Sequence, residues 1–379
     1  MKNTILFTVI GAILFAWLLR VVITWQWWNR YFSFGQDTVI VSDSRQKLYI
    51  AHEWESSVGV IDTESKKLTK SISLTQQYYG KLLKYSAHNV QVSPQGTIIA
   101  VTANIQEDAA DVHGGEMVNS DELILIDPQT DSIVWRIDLW VWSHLAHVVI
   151  DPTDTFAYIA SQEKWIIFIV DLKTQTIQQE VTLLDGSQPH GMRLSPDGKN
   201  LFIALIGEKA IGIMDTSTFT IEYIPVGDKA VQVAVTPDGR YVFASLYMTR
   251  SIARYDLTNK QLASIPLPDG AQWPVQIYPT PDSKFLYVAD QWFYFDQATS
   301  DQIYVIDIDT KQIMKNYTGW QAPHGVVVSP DGKYAYITNL LSDTVSVIDT
   351  SVQKLIDTIT VGKKPNGISI RTQWEGGTP

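Results

Sequence analysis

Cysteine is absent from this chain. No disulfide, thiolate zinc site, CuA-type copper centre or thiol nucleophile is therefore possible. Cations are scarce: 29 Lys and Arg stand against 40 Asp and Glu, for a net charge of −11. Nucleic acid as a partner calls for a basic footprint, so this balance argues against one. Hydrolase and nucleotide motifs are missing as well. There is no Gly-x-Ser-x-Gly and no Walker loop. Histidine is rare, with seven copies, and long apolar runs are confined to the N-terminus.

What the chain does have is a repeat. Its clearest copy runs from His324 through Ser329-Pro-Asp-Gly332 to Tyr336-Ile-Thr-Asn339, then Thr344–Thr350, then Lys354–Gly362. It recurs at His190–Gly198 and more weakly at Val231–Gly239. The turn prolines Pro94, Pro152, Pro196, Pro237, Pro281 and Pro330 are separated by 58, 44, 41, 44 and 49 residues. Each unit reads as four short strands rich in Val, Ile, Tyr and Phe, broken by Pro-Asp-Gly or Asp-Thr turns. A lone four-stranded unit cannot bury its faces, so units must stack around an axis. Seven sets of outer strands predict an all-β fold, a seven-bladed β-propeller. Eight candidate innermost strands compete for seven places: 37–42, 88–93, 147–151, 190–195, 231–236, 275–280, 324–329 and 366–370. The first and last both suit blade 1, and closure involving Asn366–Ile370 is favoured.

Tyr336-Ile-Thr-Asn339 followed by Val345-Ser-Val-Ile-Asp349 resembles the YVTN-repeat propellers. Similar repeats occur in the propeller domains of nitrous oxide reductase and of the d1-haem nitrite reductases. The resemblance covers nearly all of residues 37–371. It implies the fold and leaves function open, because propellers host unrelated activities.

Residues Thr4–Thr24 are almost wholly apolar, and about 20 residues suffice to cross a bilayer as a helix. Arg20 lies where it can snorkel, and Trp25, Trp27, Trp28 and Tyr31 follow as an aromatic belt. The rival reading is a cleaved signal peptide; no small-x-small cleavage site precedes the aromatic cluster. The expected organisation is a transmembrane anchor over 1–24, a juxtamembrane aromatic linker over 25–36, the propeller over 37–371 and a tail over 372–379. The propeller is expected on the periplasmic or extracellular side, an orientation resting partly on the usual home of similar propellers. The 12-residue linker reaches at most roughly 40 Å. It enters blade 1 at one end of an innermost strand, so that end, here called the top, is expected to look towards the membrane or an integral membrane partner.

All seven histidines map to the top. His88, His190 and His324 begin innermost strands of blades 2, 4 and 7, the most even three-way spacing that seven blades allow. Three imidazoles with an open fourth position suit copper or zinc. His147 and His144 are candidate further ligands, although His147 lies one residue later in register and needs a bulge to face the channel. Glu53, Glu116, Asp108 and Asp111 are candidate partners for the ligand rings. The alternative for these histidines is ordinary bonding to loop backbone, since Pro-x-Gly recurs before inner strands, as in Pro365-Asn366-Gly367.

Trp54, Trp140, Trp142, Trp165, Trp273, Trp292 and Trp320 also map to top loops. So do His52 and two insertions, one carrying Val112-His-Gly-Gly-Glu-Met117 and the other Asp290–Gln297. Trp54, Trp140, Trp142, Trp273, Trp292, Trp320 and His113 are the expected partner surface; packing between blades is the competing explanation. The functional expectation is a membrane-tethered interaction subunit of a membrane complex, holding copper or zinc at its channel mouth. The alternatives are a metal-dependent oxidoreductase centred on His88, His190 and His324, and a lactonase-like hydrolase.

Overall fold

The computed structural model describes residues 46–78, 80–106, 120–291 and 300–371. They form seven four-stranded antiparallel sheets and one two-stranded hairpin, Gln76–Tyr78 with Lys81–Leu83. The molecule is a seven-bladed β-propeller. Blades 2 to 7 are each built from consecutive strands, starting innermost with Tyr85–Val92, Leu145–Ile150, Pro189–Leu194, Ala230–Val235, Pro274–Pro279 and Pro323–Val328.

Blade 1 closes the ring. Its outer strands Lys47–His52, Ser57–Asp62 and Lys67–Ser73 come from the start of the described chain, and its innermost strand Pro365–Arg371 comes from the end. Leu48 pairs with Ile370 and Ile50 with Ile368. The C-terminal candidate therefore takes the innermost place; residues 37–42 lie outside the described residues, as do the anchor, the aromatic linker, His113 and Trp292. Among the described residues no helix is long and apolar enough to cross a membrane.

Burial falls from the axis outwards. Lys47–His52 and Tyr241–Leu246, both second strands, are buried at every position, because a neighbouring blade covers each face. Such strands read as continuous apolar runs rather than alternations. Fourth strands face solvent: Lys67–Ser73 is exposed at all but Ile72. Lys67 and Lys70 on that strand blunt an edge that could otherwise pair with another chain.

The bottom turns repeat one chemistry. Ser195 Oγ donates to Asp197 Oδ1 at 2.6 Å, and Gly198 N donates to Ser195 O at 2.8 Å. The same bonds recur at Thr236 with Asp238 and at Ser329 with Asp331. Gly198 sits at φ 71°, where a Cβ is disfavoured, which is why Pro-Asp-Gly marks these turns.

At the top each inner strand carries a bulge. Pro189 pairs with Leu205 but Met192 with Ile203, so His190 and Gly191 together oppose Ala204. The same irregularity occurs at the corresponding point of the other six inner strands. Two consecutive residues per blade are thereby presented at the channel as two tiers. Three blades fasten this bulge with a hydroxyl. Thr338 Oγ1 accepts from Gly325 N at 2.7 Å and donates to Asn366 O on the next blade at 2.9 Å. Thr102 does the same between Asn89 N and Ala146 O, and Ser245 between Gln232 N and Val275 O.

Candidate functional site

The bulges set the upper tier as His88, Ala146, His190, Val231, Val275, His324 and Asn366, and the tier beneath as Asn89, His147, Gly191, Gln232, Gln276, Gly325 and Gly367. The three in-register histidines lie in one tier, as expected from their spacing. His147 belongs to the second tier; the bulge at 145–148 brings it to the axis despite its offset. Ring centroids are 5.6 Å apart for His88 and His190, 5.3 Å for His147 and His190, and 6.3 Å for His88 and His147. His144, exposed on the entering loop, lies 6.5 Å from His88. Strands from blades 2, 3 and 4 and the loop between blades 2 and 3 thus deliver four histidines to one place.

Hydrogen bonds assign the tautomers. Blade 4 carries Ala204 where blades 2, 5 and 7 carry the bridging hydroxyl, so Val231 O loses that donor. His190 Nδ1 takes its place, donating to Val231 O at 3.0 Å. The proton is therefore on Nδ1 and Nε2 keeps its lone pair. Around His147 the order differs. Gln232 Nε2 donates to Gln276 Oε1 at 2.5 Å, and Gln276 Nε2 lies 3.3 Å from His147 Nε2. That nitrogen accepts, and His147 Nδ1 is left buried, protonated and without a partner. As a metal ligand, His147 would first have to release Gln276.

His324 is supported from the top loop. Lys364 Nζ pairs with Glu53 Oε2 at 2.9 Å, and Asn366 Nδ2 donates to the same oxygen at 3.4 Å. Asn366 also hydrogen-bonds the His324 ring. With its amide nitrogen directed at Glu53, Asn366 offers Oδ1 to that ring, and His324 Nδ1 remains buried without a partner. Glu53 thus reaches a histidine through Asn366; Glu116, Asp108 and Asp111 lie outside the described residues.

Burial holds all four inner rings neutral. It lowers His88, His190 and His324 to about 3, with neighbouring histidines adding a smaller effect in the same direction. Burial also pushes His147 well below the ordinary value, and the charge of Arg193 contributes. Neutral imidazole is the ligating form. Two rings on one tetrahedral ion, with metal–nitrogen bonds near 2.1 Å, have centroids about 5 Å apart. The spacings fit that requirement with slight closure. Among the described residues, no three His, Asp or Glu side chains are already converged as a metal cage.

The seventh described-face histidine, His52, does other work. Gly362 N donates to His52 Nε2 at 3.1 Å, and the opposite nitrogen faces Ser57 Oγ at 3.0 Å. It is fully buried between blades 1 and 7.

The tryptophans divide. Trp54, Trp140 and Trp142 are exposed, at 64%, 44% and 50%, so they offer surface to another molecule. Trp54 also covers Lys364, whose Nζ lies 5.0 Å from its ring. Trp273 packs on Tyr247 and Trp320 edges onto Tyr317, both partly buried. Trp165 is likewise partly buried against the core of blades 3 and 4. Trp140, Trp142 and His144 all have positive φ, at 69°, 55° and 47°. Three left-handed non-glycine residues within one short loop mark a strained segment beside the channel.

Sequence reasoning did not single out Asn89, Gln232, Gln276, Arg193 or Lys364. The signal was present for the first three: each follows the upper-tier position by one residue, as His147 does.

These features define a β-propeller with a histidine-lined axial mouth. No family model matches the chain, so the YVTN-repeat assignment stays a resemblance. Antigen Lp49 of Leptospira interrogans is 27% identical over 218 residues, 53% of this chain and 46% of that protein. The chain therefore spans about half the length of this curated relative. Similar solved structures include a functionally unknown protein from Desulfotomaculum acetoxidans (TM-score 0.67, 14% identity, 86% of this chain and 99% of that one). A putative 6-phosphogluconolactonase from Bacteroides uniformis has TM-score 0.64 and 13% identity, covering 86% and 100%. Hydrazine synthase of Kuenenia stuttgartiensis has TM-score 0.63 and 18% identity, covering 75% and 89%. At these identities the likeness is one of fold.

Proposed function

We propose that this chain is a membrane-tethered propeller whose axial mouth binds copper or zinc through His88, His190 and His324, with His144 as a fourth ligand from the loop above. The observation that carries the reading is the pairing of convergence with free ring nitrogens. His190 Nε2 has its lone pair because Nδ1 is held by Val231 O, and His324 Nδ1 is buried without a partner. Such outer contacts fix ring orientation at metal sites. His144 is exposed and free to swing inwards. His147, tied to Gln276, supports the ring packing from below.

The exposed Trp54, Trp140 and Trp142 support a docking role for the same face, and the apolar Thr4–Thr24 run supports a membrane tether. The protein then works as a subunit that presents its metal-bearing mouth to a membrane partner.

Metal content measured by inductively coupled plasma mass spectrometry on detergent-purified, unchelated protein tests this. Near-stoichiometric copper or zinc is expected, and His190→Ala should lose it while remaining folded. Absence of metal after reconstitution with either ion would sink the reading. The tether is tested separately: the full chain should resist carbonate extraction from membranes, and a chain starting at Ser44 should not associate with them.

A further inference from the structure

Below the two histidine-bearing tiers the inner strands present one more ring, three residues after each upper-tier position. It consists of Arg193 with Gln91, Val149, Ala234, Tyr278, Val327 and Ser369. One member is a cation and none is an acid. The channel widens here into a cavity of about 410 Å³ that opens among the bottom-turn prolines.

Arg193 is the unusual member. Its guanidinium has five N–H donors. Nη1 donates to Met192 O at 2.8 Å, and the guanidinium carbon stands 5.9 Å from the Tyr278 ring. Among the described residues no carboxylate forms an ion pair with it. The side chain is half-exposed to the lumen, yet the channel wall surrounds it closely enough that desolvation lowers its pKa. A charge enclosed in this way is costly unless something compensates it, and a single aromatic face compensates only partly.

Its neighbours are arranged as donors. Ser369 Oγ already accepts from Val92 N at 3.0 Å, which leaves its O–H to give. Burial pushes the Tyr278 hydroxyl above its ordinary value, so it stays a protonated donor. A guanidinium fork flanked by two hydroxyls in a cavity of ligand size matches a small oxyanion.

We propose that the lower channel is an anion site, in which Arg193, assisted by Tyr278 and Ser369, binds a small carboxylate- or phosphate-bearing ligand entering from the bottom face. This site is separate from the histidine mouth and does not depend on metal there. Lysine would not serve equally, because a point charge lacks the paired donors of the fork.

The test is calorimetric titration of the full chain with inorganic phosphate and, separately, with citrate, at ionic strength held constant with sodium chloride. Saturable binding of at least one of them is expected, weakened at least tenfold in Arg193→Gln and less in Tyr278→Phe. The stronger of the two probes distinguishes a phosphate from a carboxylate ligand. Equal binding by Arg193→Gln, or no saturable heat from either anion, overturns the proposal. If Arg193→Gln does not fold, phenylglyoxal labelling of the wild-type protein decides. Protection of the Arg193 peptide by the anion, read by mass spectrometry, supports the site, and unchanged labelling overturns it.

Discussion

A hydroxyl or a missing side chain decides the geometry around the channel. Thr338 serves two buried backbone groups at once, Gly325 N and Asn366 O. Thr338→Val keeps the shape and orphans both, which should cost about 2–4 kcal/mol, read as a lower urea midpoint at unchanged slope. Gly191 is glycine for a spatial reason. A Cβ there would lie 1.9 Å from Gln232 Oε1 and 2.7 Å from Gln232 Cα. Gly191→Ala must therefore move backbone as well as break the Gln232–Gln276 contact, for about 1–3 kcal/mol of destabilisation. His52 carries the pH dependence. Burial lowers it from 6.5 to about 4, against a smaller opposing pull from Asp343. A lowered pKa means that the unfolded chain takes the proton first. Its contribution is intact above pH 6.5 and is lost as pH falls towards 4, by about 3 kcal/mol. Chemical denaturation of His52→Gln should show a shallower loss than wild type across that interval. Equal slopes would assign the acid sensitivity elsewhere.

Among the elements, the bulged inner strand and the loop before blade 3 matter most. Simple alternation would send His147 away from the channel, because side chains change face with each residue. Seven repeated bulges turn two adjacent residues inwards instead, and the ring of second-tier amides follows from the same device. Pro-His-Gly in the sequence hinted at this through its glycine, which leaves room for Gln232 at Gly191 and for the Asn366 carbonyl at Gly325. It did not reveal that His147 would meet His190. The Trp140–His144 loop holds left-handed residues with large side chains exposed. Trp142→Gly suits φ 55° and removes no buried surface. Its melting temperature should equal or exceed that of wild type, whereas quenching of tryptophan fluorescence by copper(II) should diminish. A fall of several degrees would show that the indole packs rather than presents itself.

At the scale of the whole molecule, ring closure is one strand. Pro365–Arg371 completes blade 1 and also contacts its neighbours: Val92 N donates to Ser369 Oγ, and Arg371 Nη1 donates to Pro128 O at 2.9 Å. A closed ring leaves no inner edge exposed, and stability in such arrays depends on interfaces between neighbours. Truncation before Pro365 should leave an expanded, protease-sensitive chain by size-exclusion and limited trypsin digestion. A compact, resistant product would show that the other six blades stand without closure.

Repeat period, turn chemistry and strand content were local properties, and the sequence by itself determined them. Pro-Asp-Gly at regular intervals and runs of β-branched residues specify four-stranded units, and units of that kind must stack. The placement of His88, His190 and His324 in one tier followed too, because equivalent positions in a repeat become equivalent positions around an axis. Three outcomes needed the tertiary structure. The C-terminal strand closed blade 1 through pairing with residues more than 300 positions earlier. Ring nitrogens acquired their tautomers from partners on other blades, such as Val231 for His190 and Gln276 for His147. Arg193 became an enclosed charge only because seven strands surround it. Each depends on contacts between segments distant in the chain, and local pattern carries no record of which distant group will stand opposite.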